Sequence, residues 1–214
     1  MIRYSRSARA LAVCLASLAG FVDAIGFLIT GGLFLSFMSG NSTRLAVGLA
    51  AQAPVAGLAA VLIASFVSGV VIGSLLTARW PDIRKSLVLF AVAGFITLSI
   101  LFDIGGQAWL LPIPLAMAMG CANTVFQRDG DVTIGVTYMT GALVKLGQRL
   151  AEALRGGKRW DWLPFLLLWS GLVTGAVCGA VLHSRFGVRS LWIAVAAALI
   201  LALWARRIQL RDGR

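Results

Sequence analysis

Acidic residues are scarce in this chain: eight Asp and Glu stand against 19 Lys and Arg, and there is a single histidine. One histidine leaves almost no room for a Ser-His nucleophile or a histidine metal centre. No G-x-S-x-G, H-E-x-x-H, phosphate-binding loop or paired carboxylates occur either, so the chain reads as no enzyme and calls for no cofactor. Its three cysteines, Cys14, Cys121 and Cys178, each lie alone inside an apolar run. Without C-x-x-C or metal-like spacing they read as packing residues and say nothing about compartment. Charged residues of all kinds make up only 13% of the 214 positions, where a soluble domain carries about a quarter.

What fills the chain instead is apolar: 59% of residues are hydrophobic and mean hydropathy is +0.91. These residues form long runs at 9–30, 54–78, 86–102, 107–127, 160–183 and 188–205. Each is near the roughly 20 residues that cross a bilayer core. Little chain is left over for a separate soluble domain. The net charge of +11 would suggest nucleic acid on a soluble protein. Here the cations sit at the ends of apolar runs, which points to topogenic charge and anionic headgroups, and to no nucleic acid. The start, with Arg3, Arg6 and Arg9 before Leu11–Gly20, has the outline of a signal peptide. Asp23 within the same run, and a counterpart later in the chain, argue against cleavage.

That counterpart is part of an internal repeat. Gly20-Phe21-Val22-Asp23-Ala24-Ile25 is echoed by Gly120-Cys121-Ala122-Asn123-Thr124-Val125, and Phe37-Met38-Ser39-Gly40-Asn41 by Tyr138-Met139-Thr140-Gly141-Ala142. Ser68-Gly69 with Gly73 returns as Ser170-Gly171 with Gly175, and Arg79-Trp80 as Arg185-Phe186. We read 1–104 and 105–214 as two repeats of one integral membrane domain, a construction found in transporters and channels. Each repeat has three clear spans and one ambiguous stretch, 31–52 and 131–155. If those stretches do not cross, there are six spans, the second repeat is inverted, and 16 of the 19 Lys and Arg fall on the side of the termini. If both cross, there are eight spans and Arg79, Arg84, Lys85, Arg128, Arg185 and Arg189 all face out. The positive-inside rule prefers six. Trp80, Trp109, Trp160, Trp162, Trp192 and Trp204 fall near span ends, at headgroup level, with Trp169 the exception.

Each ambiguous stretch is broken by a polar cluster, Ser39-Gly40-Asn41-Ser42-Thr43 and Thr137 to Gly141. Ser, Thr and Asn cap helices and Gly permits a sharp turn. The expectation is a stretch that dips to mid-membrane, turns at Gly40 or Gly141, and returns as a half-helix, 42–52 in the first case. Residues 42–52 would rise about 16 Å, near half of a roughly 30 Å core. Two such helix N-termini, with Arg44 and Lys145 one turn on, would favour an anionic or polar solute; the alternative is ordinary capped spans with Arg44 and Lys145 snorkelling to an interface. Asp23 is the acid deep in a first-half span, and its mate is Asn123. An intramembrane carboxylate faces the bundle interior or a water cavity. It either meets solute or a proton, or pins the broken segment through Asn41 or Ser39. Lys145, Arg149 and Glu152 share one helix face and read as a solvated stripe. Ser65, Gly69, Gly73 and Thr77, and Gly171, Gly175 and Gly179, form small-residue stripes that let helices approach closely; the two stripes are expected to touch each other. His183 reads as a hydrogen-bonded residue at the membrane edge.

The order Gly-Phe-Val-Asp-Ala-Ile-Gly-Phe followed by Phe-Met-Ser-Gly-Asn resembles the YoaK-like family of uncharacterised bacterial membrane proteins. The resemblance extends over the whole chain, including the later Gly-x-x-x-Gly span and the Met-Thr-Gly echo; family members often carry Thr where this chain has Ser39. It implies a bacterial inner-membrane protein and brings no activity or substrate with it. The sequence therefore reads as an all-α membrane protein with six transmembrane helices, two broken re-entrant half-helices and two inverted repeats. Its expected role is small-solute transporter or channel, with a midplane site drawn from Asp23, Ser39, Asn41, Arg44, Asn123, Thr140 and Lys145. The rival class is a non-transporting assembly factor or complex subunit. Its partners are the lipid bilayer and a small-molecule solute, and a homo-oligomer is compatible with the sequence.

With both termini cytoplasmic, single cysteines placed at Gly105 and Arg185 in a cysteine-free background react with an impermeant thiol reagent from the periplasm. Labelling of cysteines at Asp82 or Gly157 from that side would refute this topology.

Overall fold

The computed structural model describes residues 5–128, 131–132 and 135–212; Arg3 and Arg214, counted among the charges above, lie outside them. The described residues form eight α-helices: α1 (Arg6–Ile29), α2 (Met38–Ala50), α3 (Val55–Arg79), α4 (Arg84–Ile104), α5 (Pro112–Ala122), α6 (Met139–Leu154), α7 (Leu163–Phe186) and α8 (Leu191–Asp212). A tighter 3-10 turn, Asn123–Phe126, extends α5. Among the described residues the strand pairing is a two-residue ladder, β1 (Gln127–Arg128) antiparallel to β2 (Asp131–Val132).

Local chemistry places the helix starts. The Ser5 hydroxyl accepts the Ala8 N–H at 3.2 Å and caps α1. All five prolines fall at helix starts, where a missing N–H costs nothing. Pro54 precedes α3 and Pro81 opens the short turn before α4. Pro112 and Pro114 lie in the first turn of α5, and Pro164 in that of α7.

Five apolar segments are long enough to cross a membrane: Arg6–Ile29, Val55–Arg79, Pro81–Ile104, Ala108–Phe126 and Leu163–Leu210. The last, 48 residues long, holds two helices, α7 and α8, hinged at Gly187 with φ +58°. α2 and α6, with 13 and 16 residues, reach only about 20 and 24 Å at 1.5 Å per residue. Neither covers a ~30 Å core in a straight crossing. The outer surface is apolar: Leu28, Val61, Val67, Val71, Leu75, Leu101, Val177, Ile200 and Leu203 are all exposed. On a soluble protein so much exposed hydrocarbon would drive aggregation; here it contacts lipid.

α1 and α5 form the centre, burying Leu11, Leu15, Val22 and Ile25 from one and Leu115, Ala118 and Met119 from the other. α7 lies along α1, α3 along α5, and α4 against α8. α2 packs on α3 and α6 on α7, at the periphery.

Glycines set the two closest pairings, and they act from both sides. A Cβ on Gly20 would strike the Leu172 carbonyl of α7, while a Cβ on Gly175 would strike the Ser17 carbonyl of α1. In the other pairing, Gly120 faces the Phe66 carbonyl of α3 and Gly69 faces the Met117 carbonyl of α5. The expectation that the two stripes touch each other is therefore corrected: Gly171, Gly175 and Gly179 lie on α1, Gly69 and Gly73 lie on α5, and α3 and α7 share no substantial contact. Small residues announce a close neighbour without naming it. The cysteine reading also holds only in part. Cys121 is buried, but Cys14 and Cys178 face outward.

Gly69→Leu and Gly175→Leu each force a side chain into a neighbouring backbone, and overpacking of this kind costs about 1–3 kcal/mol. Both are expected to lower the melting temperature in detergent. Gly147→Ala, where nothing lies within 4 Å, is expected to leave it unchanged or slightly raised. Equal melting temperatures across all three variants would contradict this packing.

Candidate functional site at two broken helices

α1 ends at Thr30, and Gly31 and Gly32, at φ +67° and +111°, turn the chain back on itself. Few side chains tolerate that conformation, so the glycine pair makes the reversal cheap. The next residues run non-helically until α2 begins at Met38. Their backbone groups have no helical partners, and such groups in an apolar setting cost several kcal/mol each if left bare. Thr30 Oγ1 accepts the Leu33 N–H at 3.0 Å, and two further side chains hold the residues that follow. Asp23 Oδ1 accepts the Leu35 N–H at 2.7 Å and the Ser36 N–H at 2.8 Å. Asn41 accepts the Phe34 N–H at 2.9 Å and donates to the Phe34 carbonyl at 2.6 Å. Asn41 is completely buried and Asp23 half-buried. Three successive residues are thus held by an acid from α1 and an amide from α2. A ladder of rings, Phe27 on Phe34 at 5.0 Å and Phe34 edge-on to Phe37 at 5.3 Å, covers the outside of the turn.

At the second break the described bonds run to the preceding helix and between side chains. Asn123, where α5 tightens, donates to the Met119 carbonyl at 3.0 Å and accepts the Thr137 hydroxyl at 3.1 Å. Asn123 and Thr137 are both buried. Ala142, the counterpart of Asn41, is buried too but offers no side-chain hydrogen bond.

The structure brings the sequence candidates together in part. Asp23 and Asn41 grip the same short segment without bonding each other, and Asp23 pins it through backbone N–H groups rather than through Asn41 or Ser39. Asn123 makes the matching grip in the second half. Ser39, Thr140, Arg44 and Lys145 lie exposed along α2 and α6, and the Arg44 guanidinium sits over Gly32, about 3.2 Å from where a Cβ there would stand. α2 and α6 share no substantial contact. Nor do the turns fall at Gly40 and Gly141. Both glycines are inside helices that start at Met38 and Met139, with Phe37 and Tyr138 as N-caps that make no side-chain capping bond. Asp23 lies six residues, about 9 Å, from the end of α1, about midway between that end and the centre of the helix.

Sequence reasoning left out Ser36, one of the residues the first grip holds, and counted Thr137 only within a polar cluster and not among the site residues. Their signal was available: Ser36-Phe37 is echoed by Thr137-Tyr138 at the offset that pairs Phe37 with Tyr138. Among the remaining candidates, Arg149 and Glu152 form an exposed ion pair at 2.6 Å, in keeping with a solvated stripe. His183 departs from expectation: its Nδ1 is buried without a hydrogen-bond partner.

Asp followed by a small-residue turn, and Asn reaching back seven residues from α2, is the construction behind the Val-Asp and Ser-Gly-Asn signature. The profile of a family described as "Protein of unknown function (DUF1275)" matches residues 11–204. The chain belongs to this family. The UPF0700 transmembrane protein RA0705 of Rhizobium meliloti (strain 1021) is 34% identical over 98% of this chain and 91% of its own length. The UPF0700 transmembrane protein YoaK of Bacillus subtilis (strain 168) is 32% identical over 64% of each chain. No solved structure matches. Like these bacterial transmembrane relatives, this DUF1275 chain is an integral membrane protein in contact with the lipid bilayer.

If the grips hold the turns, Asn41→Ala strands the Phe34 N–H and carbonyl and lowers stability by about 1–3 kcal/mol. Asp23→Asn keeps an acceptor oxygen for both N–H groups, so it should cost less than Asp23→Ala. Thermal unfolding in detergent checks the order. An Asp23→Ala variant as stable as Asp23→Asn would mean the carboxylate is not holding the turn.

Proposed function

We propose that this protein is a small-solute transporter or channel of the inner membrane, built from two inverted three-span repeats with cytoplasmic termini. The observation that supports it most is reciprocity. The first helix of each half packs on the third helix of the other, α1 on α7 and α5 on α3, with glycines at matching places on both partners. An inverted repeat packed about a pseudo-two-fold axis would generate such a pattern. In this reading α2 and α6 re-enter from opposite faces. Each brings a donor-rich first turn, a hydroxyl (Ser39 or Thr140) and a cation (Arg44 or Lys145) beside a polar grip (Asp23 with Asn41, or Asn123 with Thr137). Donors and cations at helix N-termini suit an anionic or polar neutral solute.

One observation favours the rival, a non-transporting assembly factor or complex subunit. The hydrogen bonds of Asp23, Asn41 and Asn123 run to groups within the chain, as they would in a purely structural core.

Purified protein in liposomes loaded in turn with chloride, phosphate and glycerol separates the two. Transport predicts release of at least one solute above protein-free liposomes. Asp23→Asn, which keeps an acceptor for the turn but removes the carboxylate's charge, is expected to slow that release roughly 10- to 150-fold, the equivalent of about 1.5–3 kcal/mol, with most of the folded yield kept. Release no faster than from empty liposomes, or a loss of activity that only tracks a loss of folded protein, would favour the rival.

A further inference from the structure

At the end of α1 remote from the broken segment, α1 and α7 part to leave an open groove of about 520 Å³. Its walls are apolar, with Val13 and Cys14 from α1 facing Leu163 and Leu167 from α7. Its head is cationic and aromatic, formed by Arg6, Arg9 and Trp160. The Arg159 guanidinium lies over the Trp160 ring at 5.5 Å and adds a third cation beside the head. Arg9 Nε is buried and has no hydrogen-bond partner. Neither Arg6 nor Arg9 makes an ion pair among the described residues. A buried, unanswered guanidinium N–H is costly, and the cost disappears if an anion occupies the head of the groove.

We infer that this groove is a binding site for one anionic phospholipid. The guanidinium groups of Arg6 and Arg9 hold its phosphate in the fork geometry that suits phosphate oxygens, and an acyl chain lies along Val13, Leu163 and Leu167. Charge and shape select the occupant together. Three cations at the head disfavour a choline headgroup, and the apolar walls are wasted on a free phosphate. Trp160 sits where tryptophan favours the headgroup layer. The bound lipid braces α1 against α7 at the end where their glycine contacts give out. The inference stands whether or not the chain transports a solute.

Cys14 reports the occupancy. It lines the groove and is exposed, while Cys178, also exposed, lies far along α7 and outside the groove, and Cys121 is buried. The rate of alkylation by N-ethylmaleimide is measured at Cys14 and Cys178 in nanodiscs of phosphatidylcholine with increasing phosphatidylglycerol. Phosphatidylglycerol is expected to slow Cys14 and leave Cys178 unchanged, and soluble glycerol phosphate is expected to protect neither. Arg6→Gln and Arg9→Gln should each raise the phosphatidylglycerol fraction needed for half-protection about fivefold. Leu167→Trp, which fills the groove and leaves both arginines, should remove the dependence on phosphatidylglycerol. Equal Cys14 rates in both lipids, protection by glycerol phosphate alone, or wild-type protection in the Arg6→Gln/Arg9→Gln protein would each overturn the proposal.

Discussion

A chain that breaks a helix inside hydrocarbon must supply hydrogen bonds for the backbone it frees, because no water is there to do so. The break after α1 meets that demand with side chains from the helices on either side of it. After α1, the segment at Phe34–Ser36 is held from one side by Asp23 and from the other by Asn41. After α5, Asn123 holds Thr137. The carboxylate is affordable in the first break because two N–H groups converge on one of its oxygens. The second break shows a neutral amide and one hydroxyl instead, bonded side chain to side chain.

The second constraint is the absence of a hydrophobic force between helices that are all equally apolar. Association then depends on close packing. The glycines of α1 against α7, and of α5 against α3, bring backbone to backbone where any side chain would stand in the way. These contacts fix the relative positions of the four helices that carry or neighbour the broken segments. α2 and α6 need only lean on α3 and α7. Their outer faces carry exposed apolar residues, Val47 and Leu49 on one and Leu143 and Val144 on the other.

Much of this was legible in the residues. The apolar runs match every long helix, and Asp23 and Asn123 stand out as polar residues within them, though the sequence points to turns at Gly40 and Gly141 and they fall before Met38 and Met139. The short helices were harder. Ser39 and Asn41 look like caps, yet α2 starts before them, because Asn41 turns back to Phe34 instead of capping the first turn. A side chain that can serve either the helix end or a distant strand of backbone gives the same signal in both cases. The glycine stripes showed that something comes close but could not say which helix. Cys14 and Cys178 look like core residues by type, yet they face outward, since in a bilayer the outside of a bundle is as apolar as its inside. The groove at Arg6 and Arg9 left no mark beyond two arginines at a span end, which topology alone already explains.

The pairing of α1 with α7 also has a consequence for synthesis. Gly20 finds its partner carbonyl at Leu172, and most of the chain is made between the two. α1 must therefore enter the bilayer and wait, its polar turn already closed by Asp23 and Asn41 but its flank still bare. The local grips are complete within the first fifty residues, whereas the tightest helix contact forms only when α7 arrives. Insertion and folding are thus separated in time, and the early half of the protein is held together by hydrogen bonds before it is held together by packing.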